Sequence, residues 1–190
     1  MNLISTKLWM IIAVLTPLSG TLISTTVWAD TIQCIEEASC YGTPDNDVIT
    51  GTQFMQEIFG LAGNDAVYAF GGADRVNGNE GHDFIDAGPG QDVVDGGSGD
   101  DTILGDQDDD RLEGNIGDDR VLGGAGNDIV SGSRGEDSLV GNEGDDDFYG
   151  GPGRDQFWCN SGVDTIHDYS QAEGDKIMSE ADCEIVIPSP

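Results

Sequence analysis

From Gly42 to His167 an apolar residue returns at every ninth position without a gap. The span divides into fourteen units, beginning with GTPDNDVIT and ending with CNSGVDTIH. The eighth position is Ile, Val, Leu or Phe in all fourteen, and the sixth is Asp in thirteen, with only Gln56 departing. Glycine holds the first position in eleven units and the fourth in eleven. A short fixed period marks a solenoid, in which each unit buries its apolar residue only by stacking on its neighbours.

The unit predicts its own local structure. Positions one to six are rich in Gly, Asn and Asp, which suits a tight turn with left-handed backbone angles. Positions seven to nine are short and β-prone. In a three-residue strand the middle side chain points opposite to its neighbours, so position eight faces in and positions seven and nine face out. Two turn-plus-strand units make a coil of eighteen residues, and fourteen units make seven coils. At a parallel-strand spacing of about 4.8 Å the roll is about 34 Å long. Its core is two facing ladders, with Val67, Ile85, Ile103 and Val121 against Val76, Val94, Leu112 and Val130.

Charge changes the picture. The formal net charge is −30, with 37 acidic and 7 basic side chains. Such a surface excludes nucleic acid as a partner and favours cations. Each buried ladder residue contributes roughly 1.5–3 kcal/mol, whereas ordering one residue costs roughly 1–2 kcal/mol of backbone entropy. The ladder alone does not offset nine such residues, and stacked aspartates repel one another. A positive ion between the turns resolves both problems. Calcium takes six to eight oxygen ligands in flexible geometry, which carboxylates and turn carbonyls supply; magnesium demands stricter octahedral geometry.

The two ends add context. Lys7, the apolar run Leu8 to Leu15 and Val27-Trp28-Ala29 read as a signal peptide over residues 1–29, cleaved before Asp30. The run is short and is interrupted by Pro17, Ser19 and Gly20, so no membrane span remains after cleavage. An oxidising compartment follows, and the four cysteines allow three pairings. Cys34 and Cys40 precede the repeats, while Cys159 and Cys183 lie at their far end. Ends about 34 Å apart cannot be bridged by a bond that needs Cα atoms within about 7 Å. The expected pairs are Cys34–Cys40 and Cys159–Cys183.

The units resemble the G-G-x-G-x-D-x-U-x nonapeptide of RTX, or haemolysin-type, calcium-binding repeats. Gly96-Gly97-Ser98-Gly99-Asp100-Asp101-Thr102-Ile103-Leu104 fits every defined position. The resemblance implies an all-β, right-handed parallel β-roll with Ca²⁺ held between same-side turns by the sixth-position Asp and main-chain carbonyls. Carried over, the metal ligands are Asp47, Asp65, Asp74, Asp83, Asp92, Asp101, Asp110, Asp119, Asp128, Asp137, Asp146, Asp155 and Asp164. Seven turns on each side leave six gaps, twelve in all. With the turn containing Phe54, Met55 and Gln56 unable to bind normally, occupancy is about ten ions. Asp164-Thr165-Ile166-His167-Asp168-Tyr169, followed by Gly174-Asp175-Lys176-Ile177, resembles the terminal cap of that family. The division is then a signal over 1–29, an N-terminal cap over 30–41, the roll over 42–167 and a C-terminal cap over 168–190.

No chemistry beyond calcium is expected. The chain lacks His-Glu-x-x-His and Gly-x-Ser-x-Gly, and His82 and His167 read as exposed structural residues. Asp106-x-Asp108-x-Asp110 is not an EF-hand, because Arg111 and Gly117 stand where Gly and Glu are required. Catalysis is therefore not expected, and neither is a catalytic residue. The expected function is a secreted calcium-binding module, folded by calcium, with a structural, adhesive or matrix role. The alternatives are an accessory module of a secreted hydrolase and a periplasmic calcium buffer. The odd-unit face carries Tyr68, Leu104, Leu122, Val140 and Trp158 at the ninth position, with Val48 and Phe84 at the seventh. It is the expected docking face for an extracellular protein, a polysaccharide or a second copy.

Overall fold

The computed structural model describes residues 30–34, 39–178, 183 and 185–188. The expected signal peptide lies outside the described residues. Two parallel sheets of nine strands each make up the fold, and no helix occurs among the described residues. Consecutive strands alternate between the sheets. One sheet holds the seventh to ninth positions of the odd units and the other those of the even units. Within a sheet, neighbours pair at an offset of eighteen residues, as in Thr102↔Arg120 and Arg111↔Ile129. Eighteen residues is one coil, so every unit stacks its eighth position directly on the same position two units away. The β-roll expected from the period is therefore the fold.

The strands are longer than the three residues read from the sequence. Thr102–Gln107 and Arg111–Ile116 are typical: each runs from position seven of one unit to position three of the next. Their burial alternates, with positions eight and one both pointing inward. The first position therefore belongs to the strand and the core, and only positions four to six form the turn. Glycine is needed there for closeness of approach. A Cβ on Gly78 would stand 2.3 Å from Asp83 Oδ2 and 2.4 Å from the carbonyl oxygen of Gly96.

The core is the eighth-position ladder. All fourteen of these side chains, from Ile49 to Ile166, are at most 1% exposed. Near the C-terminal end Phe148 and Phe157 meet edge to face, with ring centroids 6.0 Å apart, and Tyr169 packs over Phe157. Edge-to-face contact is a preferred arrangement of an aromatic pair and adds to what burial alone contributes.

Both ends continue the sheets. Asp30–Gln33 pairs with Asp47–Thr52, which sets Ile32 in the eighth-position ladder beside Ile49. Ser39–Tyr41 pairs with Glu57–Ala62 and sets Cys40 beside Ile58. Cys34 and Cys40 are joined, as are Cys159 and Cys183, with Cα atoms 5.6 and 5.4 Å apart. These are the expected pairs. Cys34, Cys40 and Cys159 point inward and are buried, so both bridges occupy the core as well as closing loops. At the far end Lys176–Ile177 and Ile185–Pro188 each add a last strand, now offset by twenty residues. The two-residue excess is absorbed in a turn where Ser170 O accepts from the N–H groups of Glu173, Gly174 and Asp175.

Candidate metal centre

The sixth-position aspartates line up along the two edges of the roll. Odd units stack Asp47, Asp65, Asp83, Asp101, Asp119, Asp137 and Asp155; even units stack Gln56, Asp74, Asp92, Asp110, Asp128, Asp146 and Asp164. Every one of them is at most 3% exposed. The stacking bond is uniform. The backbone N–H of each residue donates to Oδ1 of the aspartate one coil on, at 2.8 Å for Asp101 to Asp119 and 2.9 Å for Asp110 to Asp128. The thirteen sequence-predicted ligands thus fall in two files along the two edges.

The second oxygen is the informative one. From Asp65 through Asp155, Oδ2 is buried and has no hydrogen-bond partner. Leaving a buried acceptor unsatisfied costs about 1–3 kcal/mol, and more when it is charged. One such atom in a protein needs an explanation; eleven in register describe a site. The carboxylates respond electrostatically. Burial, opposed by the backbone hydrogen bond, raises Asp65, Asp74, Asp119, Asp128 and Asp155 to about 6. It raises Asp92, Asp101, Asp137 and Asp146 to about 7 and Asp110 to about 8, with neighbouring aspartates of the file adding to the rise.

The backbone supplies further oxygens. A Cβ on Gly99 would lie 1.9 Å from Gly81 O, and one on Gly117 would lie 2.0 Å from Gly99 O. Turn carbonyls therefore aim along the roll at the next turn. Both fourth-position residues have φ above +120°, a conformation glycine alone adopts without strain. No three His, Cys, Asp or Glu side chains converge on a metal-binding cluster among the described residues. A cation here takes its ligands from two stacked turns, carboxylate and carbonyl together. That donor set is all oxygen and hard, which fits calcium.

The first two turns differ. Thr43 N and Thr43 Oγ1 donate to Asp47 Oδ2, at 2.6 and 3.0 Å. Thr52 N donates to Gln56 Oε1 at 2.8 Å. From the third unit onward the second position has positive φ in every unit, from Leu61 to Asn160, and this bond is lost. Gln56 therefore closes its turn as a neutral side chain, buried in the same place as an aspartate.

Three features escaped the sequence reading. The fifth position forms a second file: Asn46, Asn64, His82, Asp100 and Asp118 each accept the backbone N–H of the fifth residue one coil on. In this file His82 Nδ1 accepts from Asp100 N at 2.7 Å. Asp175 extends the odd file beyond the repeats, with Oδ1 taking Asp155 N and Oδ2 taking Ser170 N. Asp168 clamps Gly150 N and Gly151 N with its two oxygens. The fifth-position bias towards Asn and Asp was visible but has no fixed identity, and the cap residues fall outside the period. On the odd face Leu104, Leu122, Val140 and Trp158 are half-buried by their ladder neighbours, with Tyr68 more open.

The family model for the RTX calcium-binding nonapeptide repeat matches in overlapping four-copy segments at residues 41–69, 56–85, 68–103, 86–121, 104–139, 122–157 and 131–166. Among solved structures, the extracellular lipase LipA from Serratia marcescens is 16% identical, covering 74% of this chain and 35% of the lipase, with a TM-score of 0.27. The chain thus spans about a third of that lipase, and so loose a superposition carries no argument. No curated protein matches the chain.

Proposed function

The chain belongs to the family of RTX calcium-binding nonapeptide repeats, and from that premise we propose that it is an exported, non-catalytic module whose folding is driven by calcium. The observation that carries the reading is the run of buried aspartates from Asp65 to Asp155, each with its Oδ2 left open between stacked turns. Bound calcium supplies the positive charge that these oxygens lack. The residues proposed to hold it are the thirteen sixth-position aspartates from Asp47 to Asp164, together with turn carbonyls. Asp47 is the weakest member, because Thr43 already occupies its Oδ2. With its carboxylates unpaired the roll repels itself, and metal binding and folding become one event.

The finer reading is a structural role outside the cytoplasm, in adhesion, matrix or surface attachment. The sequence features that support export are the Lys7-to-Ala29 segment and the two bridges, which persist in oxidising compartments. No helix among the described residues is long and apolar enough to cross a membrane. The odd face is proposed as a protein-docking surface. Replacing Leu104, Leu122 and Val140 together with Thr is expected to weaken association while leaving the calcium-bound fold intact; unchanged association removes this role.

Circular dichroism during a calcium titration of the chain from Asp30 tests the central claim. At pH 8, chelator is expected to abolish the β-signal and millimolar calcium to restore it. A full β-signal in chelator at pH 8 would falsify calcium-driven folding, and equal rescue by magnesium would remove the selectivity.

A further inference from the structure

A polar groove runs along the outer face of the even sheet. Its two walls are set by the repeat. One is the ninth-position row, Asn77, Asp95, Glu113 and Ser131, and the other is the second-position row, Asn79, Gly97, Asn115 and Ser133. The inward first-position glycines between them form the floor. At Gly97 the second row has no side chain, and the groove opens there into a cleft of about 620 Å³. Four strands contribute to the cleft, which is about 14 Å long at the parallel-strand spacing.

The cleft is organised around Asp95. Asn115 Nδ2 leans back into the gap over Gly97 and donates to Asp95 Oδ1 at 2.6 Å, and Asn77 Nδ2 reaches Oδ2 at 3.4 Å. Asn77 Oδ1 and Asn79 Oδ1 have no hydrogen-bond partner within the chain. The carboxylate braced by two amides gives the cleft a fixed polar centre, with the two amide oxygens buried beneath its surface. Leu61 and Ile116 stand exposed at the two ends. No Lys or Arg lines the cleft, whereas Asp95 and Glu80 do.

From this arrangement we infer that the even-sheet groove is a binding site for a neutral oligosaccharide. Vicinal hydroxyls present one donor and one acceptor at fixed spacing, which matches the Asp95–Asn115 and Asp95–Asn77 pairs. The apolar C–H edges of the sugar rings suit Leu61 and Ile116. The acidic lining excludes phosphate, sulfate and uronate polymers by like-charge repulsion. A repeating ligand also matches a repeating wall, since from Asn77 to Ser133 successive strands place a polar residue in each row, with Gly97 the one gap. The inference rests on the calcium-folded roll proposed above.

The test is calorimetric titration of the purified protein, at saturating calcium, with cellohexaose, laminarihexaose, maltohexaose, mannohexaose and oligogalacturonate. At least one neutral hexasaccharide is expected to bind and oligogalacturonate is not. Asp95→Ala and Asn115→Ala are each expected to weaken binding about tenfold or more, the usual loss for a hydrogen bond to a charged group. Thr102→Ala, on the opposite sheet, is expected to leave it unchanged. A protein that shows its full β-signal yet binds none of the four neutral sugars overturns the inference alone. So does equal binding of oligogalacturonate, or affinity retained in both groove variants. A fall in bound calcium on Asp95→Ala reassigns the groove to a cation and overturns it too. A protein without β-signal in calcium brings down the folding reading and the groove with it.

Discussion

The first two turns and the eleven from Gly60 to Trp158 occupy equivalent places in the roll but solve the same electrostatic problem differently. In the turn of Gly51–Phe59 the buried sixth side chain is Gln56, a neutral amide whose oxygen takes the N–H of Thr52. In the turn of Gly105–Glu113 it is Asp110, whose Oδ2 takes nothing within the chain and whose carboxyl is pushed up to about 8, chiefly by burial. The switch between the two is the second residue. Thr43 and Thr52 keep ordinary backbone angles and turn their N–H groups inward, whereas from Leu61 onward this residue is left-handed. A turn at this place in the roll closes without a metal when the sixth-position oxygen nearest its second residue is satisfied. The chain does this from within at Asp47 Oδ2 and Gln56 Oε1 and leaves that oxygen open from Asp65 to Asp155.

The largest expected effect follows from the open carboxylates. Their pKa is raised in the folded, metal-free roll, so that form binds protons the unfolded chain does not. The stability this confers is fully present below the ordinary value of 3.8 and is lost as pH rises through about 6 to about 8. In chelator, the β-signal is expected to be stronger at pH 5 than at pH 8, by roughly the whole folding transition. In calcium the dependence reverses, because the metal requires deprotonated carboxylates. Circular dichroism against pH, with and without chelator, reads both curves. Parallel curves would break the distinction between open and closed turns.

Next in size is a paired substitution. Asp110→Ala removes a carboxylate placed between two same-side neighbours, Asp92 and Asp128. It is expected to lower the number of bound calcium ions by one or two and the midpoint of thermal unfolding by several degrees. Gln56→Ala leaves Thr52 N without its partner, at a cost of about 1–3 kcal/mol. It is expected to leave the calcium count unchanged. Equilibrium dialysis alongside thermal melts separates the two. Loss of an ion on Gln56→Ala would place the second turn with the open ones.

Much of this was legible in the sequence because a solenoid repeats its instructions. The eighth-position ladder, the two aspartate files and both disulfide pairs follow from the nine-residue period and the length of the roll. What was not legible falls where the period is silent or misleading. Glycine at position one reads as a turn residue, yet here it is the inward residue of a strand, and only the closeness of Asp83 Oδ2 to Gly78 reveals why. The N-terminal coil is hidden because its strand aligns Asp30 with Asp47, one residue short of a full coil. At the other end the extra two residues before Lys176 conceal that Asp175 completes the odd file. Residue type gives chemistry, but phase places it, and insertions erase phase.

The smallest effect lies at the boundary between closed and open turns. Leu61 and Phe70 are the first two non-glycine residues forced into the left-handed region, at φ of +86° and +74°. Both are exposed, so no burial offsets the strain. At the same position further along stand Asn79, Asn115 and Asn142, with φ between +78° and +83°, where the short polar side chain tolerates this conformation. Leu61→Asn and Phe70→Asn are each expected to stabilise the calcium-bound roll by about 1 kcal/mol, the lower end of the cost of a strained residue. The reverse change, Asn142→Leu, is expected to cost a similar amount. Denaturant melts at fixed calcium measure all three. If the Asn variants gained nothing, left-handed geometry at the second position would not be what divides the two kinds of turn. The inward N–H of Thr43 and Thr52 would then carry the difference alone.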